Sequence, residues 1–384
     1  MHSRKHANMP ASEQSPLLVV SASGRALAQS AGRCGLQVVV LDLFNDLDVR
    51  GLAVASRSVA AGNGRFDARR LLAAAQLLCS PDRCSGLVYG SGFEGRTRLL
   101  ARLARGRTLF GNAPDTVARL KDPEHFFSML DAFRIAHPET RLNPPADVSG
   151  WLVKRTGGAG GSHVRMARPR HRARPGRYFQ KLQSGQTLSV LFAADGRNAR
   201  VIGVNEQWTA GIAQCAPYCY GGAVSGMMLP DGVQARIATV LGRLVRTTGL
   251  VGLNGLDFIL DDEDEPHVLE INPRPTATID LYDADFEGGL LALHLRACRG
   301  ELPDMQQPDC SRAHAIVYAT DALRVPARMH WPQWCTDIPD GGSLIPAGAP
   351  ICSVHATAPS STQARDRAMA RRDVMDSLFL EKAA

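Results

Sequence analysis

The chain has 384 residues, of which 45% are hydrophobic and 21% charged, and its 44 Lys and Arg against 37 Asp and Glu give a formal net charge of +7. This composition is that of a globular protein of two to three domains, and it excludes a chain disordered throughout, a collagen and a disulfide scaffold. No apolar run approaches the roughly 18 residues that span a bilayer, so we expect neither an integral membrane protein nor a membrane partner.

The N-terminal segment, residues 1–16, is predicted to be a flexible polar tail. The apolar run that follows it, Leu17–Val20, is too short for the core of a signal peptide. The nine cysteines are odd in number and include no Cys-x-x-Cys pair, which favours reduced thiols and a cytoplasmic protein. Cys215 and Cys219 have a spacing at which they could share a zinc ion, but no second Cys or His pair accompanies them.

Apolar runs alternate with helix-like segments over residues 17–113. Strands that alternate with helices indicate a parallel sheet with helices on its faces, so we predict an α/β N-terminal domain. The predicted strands are Leu17–Val20, Leu36–Leu41, Gly86–Tyr89 and Thr108–Phe110, and the predicted helices are Arg25–Cys34, Asp67–Cys79 and Thr97–Arg105.

A second, α+β domain is predicted over residues 114–300, with subdomains over 114–182 and 183–300. After a predicted helix over Asp115–Phe133, short apolar runs separated by Gly, Pro and Asp are typical of an antiparallel sheet. These runs are Trp151–Lys154, His163–Met166, Tyr178–Leu182, Leu188–Phe192 and Val201–Val204, and a helix over Val233–Thr248 follows them. Residues 301–384 are predicted to be an extension that packs on this domain, with strands Ala315–Tyr318 and Ile351–His355 and a terminal helix.

A hairpin is predicted over Gly252–Pro275, with an acidic turn centred on residue 263. Asp257 lies six residues before that centre and Glu270 seven after it, so the two face each other across antiparallel strands. Asn272 is two residues beyond Glu270 and shares its face of the sheet. Two carboxylates and an amide oxygen predict a site for Mg²⁺ or Mn²⁺ that bridges substrate phosphates. The alternative, three solvated polar residues, is disfavoured because the strand is otherwise apolar.

A Gly-rich loop, residues 156–163, follows Lys154 and has four glycines within five residues. Such a loop allows close approach and positive φ, so successive N–H groups can wrap an anion, although a flexible hairpin tip is the simpler alternative. Charge favours the anion site, because residues 151–181 contain nine Lys and Arg and no acid, whereas 257–287 contain eleven acids and one Arg. Only five of the 44 basic residues are lysines, and the three interior ones are Lys121, Lys154 and Lys181.

Three motifs in this order resemble the ATP-grasp superfamily of carboxylate–amine ligases. They are the Gly-rich loop after Lys154, the segment Tyr178-Phe179-Gln180-Lys181-Leu182-Gln183-Ser184-Gly185, and Leu269-Glu270-Ile271-Asn272-Pro273-Arg274-Pro275. The resemblance covers roughly residues 17–300, and it implies an ATP-grasp fold whose two subdomains clamp ATP.

The resemblance also implies a role for each matching residue. Lys121 and Lys154 would hold the α- and β-phosphates, and Arg274 and Lys154 would act on the transferred phosphate. Asp257, Glu270 and Asn272 would hold the metal. Adenine would lie against Gln180, Lys181 and Leu182, with the Gln180 amide accepting from its amino group. The loop residues that would wrap the phosphates are Gly157, Gly158, Gly160, Gly161 and Ser162.

The reaction implied by the resemblance is ATP-dependent joining of a carboxylate to an amine through an acyl phosphate, with release of ADP. Substrates would be small molecules, and a homodimer is expected. The run from Asn272 to Thr278 is similar to that of ligases that join tyramine to glutamate in methanofuran-type coenzyme biosynthesis. The alternatives are a biotin-dependent carboxylase, a non-catalytic ATP-binding protein and an RNA-binding protein.

Three further features compete with this interpretation. Residues 90–95 read Gly-Ser-Gly-Phe-Glu-Gly, a formal G-x-G-x-x-G, but they do not lie in the first strand–helix unit, so we predict a tight turn near the acceptor substrate rather than a dinucleotide site. The Arg-rich run 165–177 is interpreted as a solvated loop rather than a nucleic-acid surface. For the segment Asn205–Trp208, substrate contact and a structural role are equally favoured.

Overall fold

The computed structural model describes residues 15–62, 64–213, 215–304 and 308–381, so nearly all of the predicted tail (1–16) lies outside the described residues. The first domain is a five-stranded parallel sheet with helices on both faces, which confirms the predicted α/β class. Its elements are β1 (Leu17–Val20), α1 (Arg25–Arg33), β2 (Val38–Asp42), α2 (Leu47–Leu52), β3 (Ala55–Ser58), α3 (Ala68–Leu78), β4 (Gly86–Tyr89), α4 (Thr97–Ala104) and β5 (Leu109–Phe110), with a 3₁₀ turn at Pro81–Arg83.

Helix α2 and strand β3 were not predicted. β3 is the edge strand in the order β3-β2-β1-β4-β5, and its sequence Ala-Ser-Arg-Ser is half-buried to exposed, so it carries no apolar alternation. α2 has only six residues and buries only Val49, which leaves no helical periodicity to detect.

The next segment forms two helices and a four-stranded sheet, in the order β6-β9-β7-β8. The single helix predicted over Asp115–Phe133 is wrong. Pro123 lacks an N–H and holds Asp122 in an extended conformation, which ends the first helix, and the Asp122 carboxylate then caps the second by accepting from the His125 N–H at 2.9 Å. The elements are α5 (Pro114–Lys121), α6 (Pro123–Ala132), β6 (Thr140–Arg141), β7 (Trp151–Arg155), β8 (Arg165–Met166) and β9 (Arg177–Lys181).

The rest of the chain is built on an antiparallel sheet. Its elements are β10 (Gln186–Asp195), β11 (Ala199–Thr209), β12 (Tyr220–Ser225), α7 (Asp231–Thr248), β13 (Val251–Leu260), β14 (Pro266–Asn272), α8 (Gly289–Ala297), β15 (Ser311–Tyr318), β16 (Leu323–Arg324), β17 (Cys335–Thr336), β18 (Leu344–Ile345), β19 (Pro350–Ala358) and α9 (Ser361–Glu381), with 3₁₀ turns at Ala277–Leu281 and Asp283–Asp285. Eight of these strands pair in the order β14-β13-β10-β11-β12-β15-β19-β17, so the residues after 300 continue the same sheet through β12.

The large sheet is covered on both faces by apolar packing. On one face, α7 and α6 pack on β10 and β13 through residues such as Ile237, Leu241 and Leu130. On the other face, α8 and α1 form one core that joins side chains of the first domain to those of the large sheet. Each Å² of apolar surface that this shared core removes from water contributes roughly 25 cal/mol to holding the two domains together. The same packing fixes the carboxyl ends of β1, β2 and β4 against the large sheet.

A buried ion-pair cluster reinforces this contact. The Arg25 guanidinium donates to both oxygens of Asp280, at 2.6 and 2.5 Å, and through Nε to Asp337 at 3.3 Å. Burial alone would raise the pKa values of Asp280 and Asp337, but Arg25 outweighs burial and lowers both. This stabilisation is therefore complete above about pH 4 and is lost as the pH falls through the lowered pKa values.

Replacing Arg25 by alanine is expected to lower the free energy of unfolding by about 3–5 kcal/mol, because it leaves two buried carboxylates without a counter-charge. The Arg50–Asp340 pair bridges the same parts of the chain but is 37% and 53% exposed, so Arg50→Ala is expected to cost less than about 1 kcal/mol. Urea denaturation at pH 7 measures the free energy of unfolding of both variants. Equal losses in the two variants would contradict this account of the cluster.

Candidate active site

A cavity of about 1180 Å³ lies between the four-stranded sheet and the large sheet. Thirteen of the fourteen residues predicted from the sequence for the nucleotide and metal sites line it, although they come from four separate stretches of the chain. They are Lys154, Gly157, Gly158, Gly160, Gly161, Ser162, Gln180, Lys181, Leu182, Asp257, Glu270, Asn272 and Arg274. The basic loop and the acidic hairpin therefore face the same space.

One wall of the cavity is the hairpin of β13 and β14. Asp257 pairs directly with Glu270, as the turn arithmetic predicts, and a β-bulge follows Asp257. The Asn272 amide donates to Asp257 Oδ2 at 2.9 Å, and Gln207 on β11 donates to Asp257 Oδ1 at 3.2 Å. Gln207 lies within the segment that the sequence left undecided, and its contact places that strand at the site.

Lys121 is the fourteenth residue, and it lies behind the cavity wall rather than in it. It is the last residue of α5, and its Nζ donates to Glu270 Oε2 and to Asn272 Oδ1, both at 3.0 Å. Its ammonium is thus the counter-charge of the acidic wall, and the structure gives it no contact with the Gly-rich loop. The predicted contact of Lys121 with phosphate stays a prediction.

The two facing carboxylates have unlike environments. Burial and the neighbouring Glu270 carboxylate raise the pKa of Asp257 to about 7. Burial would raise the pKa of Glu270 too, but Lys121 and Lys154 outweigh it and hold that pKa well below its usual range. Glu270 is therefore the permanent anion of the wall.

This donor set fits a divalent cation bound together with phosphate. Two opposed carboxylates and an amide oxygen are hard-oxygen ligands, and Mg²⁺ in proteins commonly uses one or two carboxylates and completes its shell with substrate phosphates and water. Among the described residues, no three His, Cys, Asp or Glu side chains gather into a metal cluster, so the protein alone would not complete the shell. Asp257, Glu270 and Asn272 are the residues that would hold the ion.

The opposite wall carries Lys154 on β7. Its Nζ donates to the Gln180 side-chain oxygen at 2.5 Å, and Gln180 Nε2 donates to Thr140 at 3.2 Å. The Gln180 amide oxygen therefore holds Lys154 in place beneath the Gly-rich loop, and its predicted contact with adenine stays a prediction. Burial lowers the pKa of Lys154, against the opposing effect of Glu270 and Asp257.

One backbone N–H group just beyond Gln180 has no hydrogen-bond acceptor among the described residues. The N–H groups of Lys181 and Leu182 already donate to Glu139 and Gly150, at 2.8 and 2.7 Å. Gln183 is the next residue, and its N–H has no acceptor among the described residues. The apolar side chains Leu152, Leu182, Ile259 and Leu269 surround this end of the cavity, which suits a flat, weakly polar ring.

The Gly-rich loop lies across the cavity and touches both neighbouring parts of the chain. A Cβ atom on Gly157 would lie 2.5 Å from the Gly95 Cα in the first domain, and one on Gly161 would lie 1.6 Å from the Tyr218 carbonyl oxygen. The backbone N–H groups of residues 159–163 donate to no acceptor within the described parts of the chain. Because the loop is docked and its N–H groups are free, these contacts favour an anion-binding loop over the alternative of a flexible hairpin tip.

Gly161→Ala is expected to lower kcat/KM for ATP at least about tenfold, because the new methyl group clashes with Tyr218 and shifts the loop from its position over the cavity. Gly160→Ala is the matched variant: Gly160 also has a positive φ, of 63°, but nothing lies within 4 Å of its Cβ position. Steady-state kinetics compare them. A loss as large for Gly160→Ala would show that backbone strain, not the clash, is responsible.

Arg274 and Glu94 form a buried pair that the sequence did not predict. Arg274 Nε donates to Glu94 Oε1 at 2.5 Å, and Arg274 Nη2 lies 3.4 Å from Asn272 Oδ1. Glu94 also accepts from the Gly92 N–H at 2.8 Å, so the G-x-G-x-x-G segment is a tight turn that presents a carboxylate to the site. The sequence did contain a signal for Glu94: it is a lone acidic residue in a glycine-rich turn at the end of a strand.

The cysteines form neither a disulfide nor a metal site within the described residues. All nine are free thiols, and Cys215 and Cys219 take part in no metal cluster there. The side chains of the Arg-rich run 165–177 are mostly exposed. No helix within the described ranges is both long enough and apolar enough to cross a membrane.

Part of the chain that forms this site matches a known protein family. Residues 124–278 match the ATP-grasp domain family. The large chain of carbamoyl phosphate synthase, C-terminal section, from Methanopyrus kandleri is 24% identical in an alignment 253 positions long that covers 58% of this chain and 46% of that protein. The chain therefore spans less than half the length of this curated relative.

Solved structures share the fold. Biotin carboxylase from Campylobacter jejuni, in its β-γ-ATP complex, has a TM-score of 0.71 at 12% identity, covering 91% of this chain and 89% of that one. The biotin carboxylase domain dimer of 2-oxoglutarate carboxylase from Hydrogenobacter thermophilus, with MgADP and bicarbonate, has a TM-score of 0.70 at 14% identity over 92% and 89%. N5-carboxyaminoimidazole synthase from Aspergillus clavatus has a TM-score of 0.63 at 16% identity over 94% and 99%. The predicted ATP-grasp fold is confirmed.

Proposed function

We propose that this chain is an ATP-dependent ligase that joins a carboxylate to an amine. The observation that carries the proposal is the single cavity in which a docked Gly-rich loop and Lys154 face the carboxylates of Asp257 and Glu270. Opposed positive and negative walls suit a polyphosphate with a divalent cation, and the match of residues 124–278 to the ATP-grasp domain family supports the same ligand.

In this proposal each wall binds one part of the nucleotide. The N–H groups of residues 159–163, together with Gly157, Gly158 and Lys154, hold the phosphates. Adenine lies among the apolar residues near Leu182, and it accepts from the Gln183 N–H. Mg²⁺ or Mn²⁺ on Asp257, Glu270 and Asn272 would neutralise phosphate charge.

The proposed reaction has two steps. A carboxylate oxygen of the first substrate attacks the γ-phosphorus, the bond to the ADP oxygen breaks, and an acyl phosphate forms. The amine nitrogen of the second substrate then attacks the acyl carbon, the bond to the phosphate oxygen breaks, and phosphate and a proton leave. Arg274, positioned by Glu94 beside Asn272, stabilises the negative charge on the transferred group. No protein nucleophile takes part.

The substrates that we propose to test first are glutamate as the carboxylate and tyramine as the amine. The support for this pair is the similarity of the run from Asn272 to Thr278 to that of ligases in methanofuran-type coenzyme biosynthesis. Carboxylation is the second candidate, because several structures with this fold are biotin carboxylases.

The test is nucleotide release with MgATP over a matrix of acids and amines, with free biotin and bicarbonate as a separate arm. We expect ADP, and not AMP, to be released only when a carboxylate and an amine are both present, with an amide as the product. Turnover that needs biotin and bicarbonate would support the carboxylase instead. ATP binding with no turnover across the matrix would contradict both reactions.

A further inference from the structure

A second cavity, of about 430 Å³, lies beside the first. It is formed by the loops after β1, β2 and β4 of the first domain and is closed on the far side by the segment 337–353. Arg274 and Thr276 line both cavities, so the second one opens next to the site proposed for the transferred phosphate. No step of the proposed reaction uses this cavity.

The charged side chains of this cavity are predominantly acidic. Four aspartates, Asp46, Asp280, Asp337 and Asp340, line it with two arginines, Arg25 and Arg274. Both arginines are already paired: Arg25 binds Asp280 and Asp337, and Arg274 binds Glu94. Asp340 pairs with Arg50.

Asp46 is the acid that remains. It is 8% exposed, and its carboxylate makes no hydrogen bond or ion pair with any residue that the structure describes. It precedes α2 but accepts from none of the N–H groups of that helix. The Asp46 oxygens are not among the fully buried unpartnered atoms, so they keep access to the cavity. An unpaired carboxylate in so confined a space is costly, and it is relieved either by a proton or by a cation that binds there.

Two further observations are consistent with a cation that binds at Asp46. The side-chain oxygen of the adjacent Asn45, which also lines the cavity, is buried and has no partner among the described residues. Burial, strengthened by Asp337, raises the pKa of Asp46 to about 8, so at pH 7.5 this group is largely protonated while the cavity is empty, and a bound cation would release that proton. A primary ammonium suits the resulting carboxylate, because it has three N–H donors and no acceptor.

The rest of the lining is largely apolar, although it also includes five serines, Thr276 and His314. Ile279, Ile316, Ile345 and Ile351 line the cavity together with Pro339 and Pro346. A ligand that fits would therefore have an ammonium group at one end and an apolar or extended body, as a co-substrate of a carboxylate–amine ligase does.

Resting on the proposed ligase function, we propose that this second cavity is the acceptor pocket and that Asp46, assisted by Asn45, binds the primary ammonium group of a substrate. The ammonium belongs either to the amine nucleophile or to the α-amino group of an amino-acid carboxylate. The shared wall at Arg274 brings the bound molecule to the transferred phosphate.

The test is calorimetric binding of matched probes to the full chain at pH 7.5 without ATP, so it is independent of turnover. Phenethylamine is compared with 2-phenylethanol, and glutamate with glutarate, because each pair differs by its amino group. We expect the ammonium member of at least one pair to bind about tenfold or more tightly than its partner. Selectivity in the phenethylamine pair assigns the pocket to the nucleophile, and selectivity in the glutamate pair assigns it to the carboxylate substrate.

Asp46→Asn is expected to remove this selectivity while leaving MgATP affinity within about twofold of the wild-type value. Asp340→Asn removes a charge from the same cavity but one already paired with Arg50, and it is expected to keep the selectivity. Equal binding of both members of each pair by the wild type, or unchanged selectivity in Asp46→Asn, would overturn the proposal. Selective binding without any ADP release in the substrate matrix would instead count against the ligase function alone.

Discussion

Glu270→Gln is expected to reduce kcat for ADP release about 10³-fold with the protein still folded. The variant keeps the size of the side chain but removes the permanent anion of the acidic wall, and it leaves the Lys121 ammonium, 3.0 Å away, without its carboxylate partner. A single electrostatic group aimed at charge that develops in the transition state contributes about 10²–10³ in kcat, and loss of a carboxylate proposed to bind the metal adds to this.

Glu265→Gln is the matched control. Glu265 lies in the turn of the same hairpin, on the surface, and pairs with Arg236 at 3.6 Å, so its substitution is expected to change kcat by less than about twofold. Turnover is measured at saturating ATP over a range of Mg²⁺ concentrations. If Glu270→Gln kept more than a tenth of wild-type turnover, the assignment of this wall to the metal would be wrong.

Lys154→Met is expected to lower kcat/KM for ATP about 10²-fold. Lys154 lies on the cavity wall two residues before the Gly-rich loop, and methionine has a similar length without the charge or the donors. A charge-assisted contact with phosphate is lost, and so is the hydrogen bond to Gln180 at 2.5 Å.

Arg177→Met is the control for this variant. Arg177 also lies in the four-stranded sheet, on β9, but its side chain points to the face opposite that of Tyr178 and Gln180, and it does not line the cavity. ATP affinity and the midpoint of thermal unfolding are measured for both variants. A loss of affinity of the same size in Arg177→Met would show that general positive charge, rather than Lys154, binds the nucleotide.

The part of the site that the sequence predicts best is the hairpin. Asp257 and Glu270 are joined by a short turn, so counting residues places them near each other on facing strands. Their direct pairing also needs the β-bulge, which lies between the turn and this pair: Phe258 pairs with Val268, and the extra residue Leu269 brings Glu270 opposite Asp257.

Contacts between distant parts of the chain could not be predicted in this way. Glu94 and Arg274 are 180 residues apart in sequence and meet only because the first domain packs on the large sheet. The position of Lys121 behind the wall depends on Pro123, which ends α5 at that residue. Local periodicity carries no information about either arrangement.

The Gln180 side chain illustrates a different limit. Its place beside adenine is predicted from a motif and stays a prediction, whereas its contact with Lys154 is a feature that the motif does not give. Lys154 is paired with Tyr178 across the two strands, and Gln180 lies on the same face one step along, so the amide oxygen accepts from the lysine. The register of the four-stranded sheet decides this contact, and the sequence alone does not supply that register.

The most direct measurement of the central claim is a crystal structure with Mg²⁺ and a non-hydrolysable ATP analogue. We predict phosphates held by the N–H groups of residues 159–163 and by Lys154, and a metal ion on Glu270 and Asp257 that bridges them. A nucleotide bound elsewhere, or one in this cavity with no ion between its phosphates and Glu270, would contradict the account.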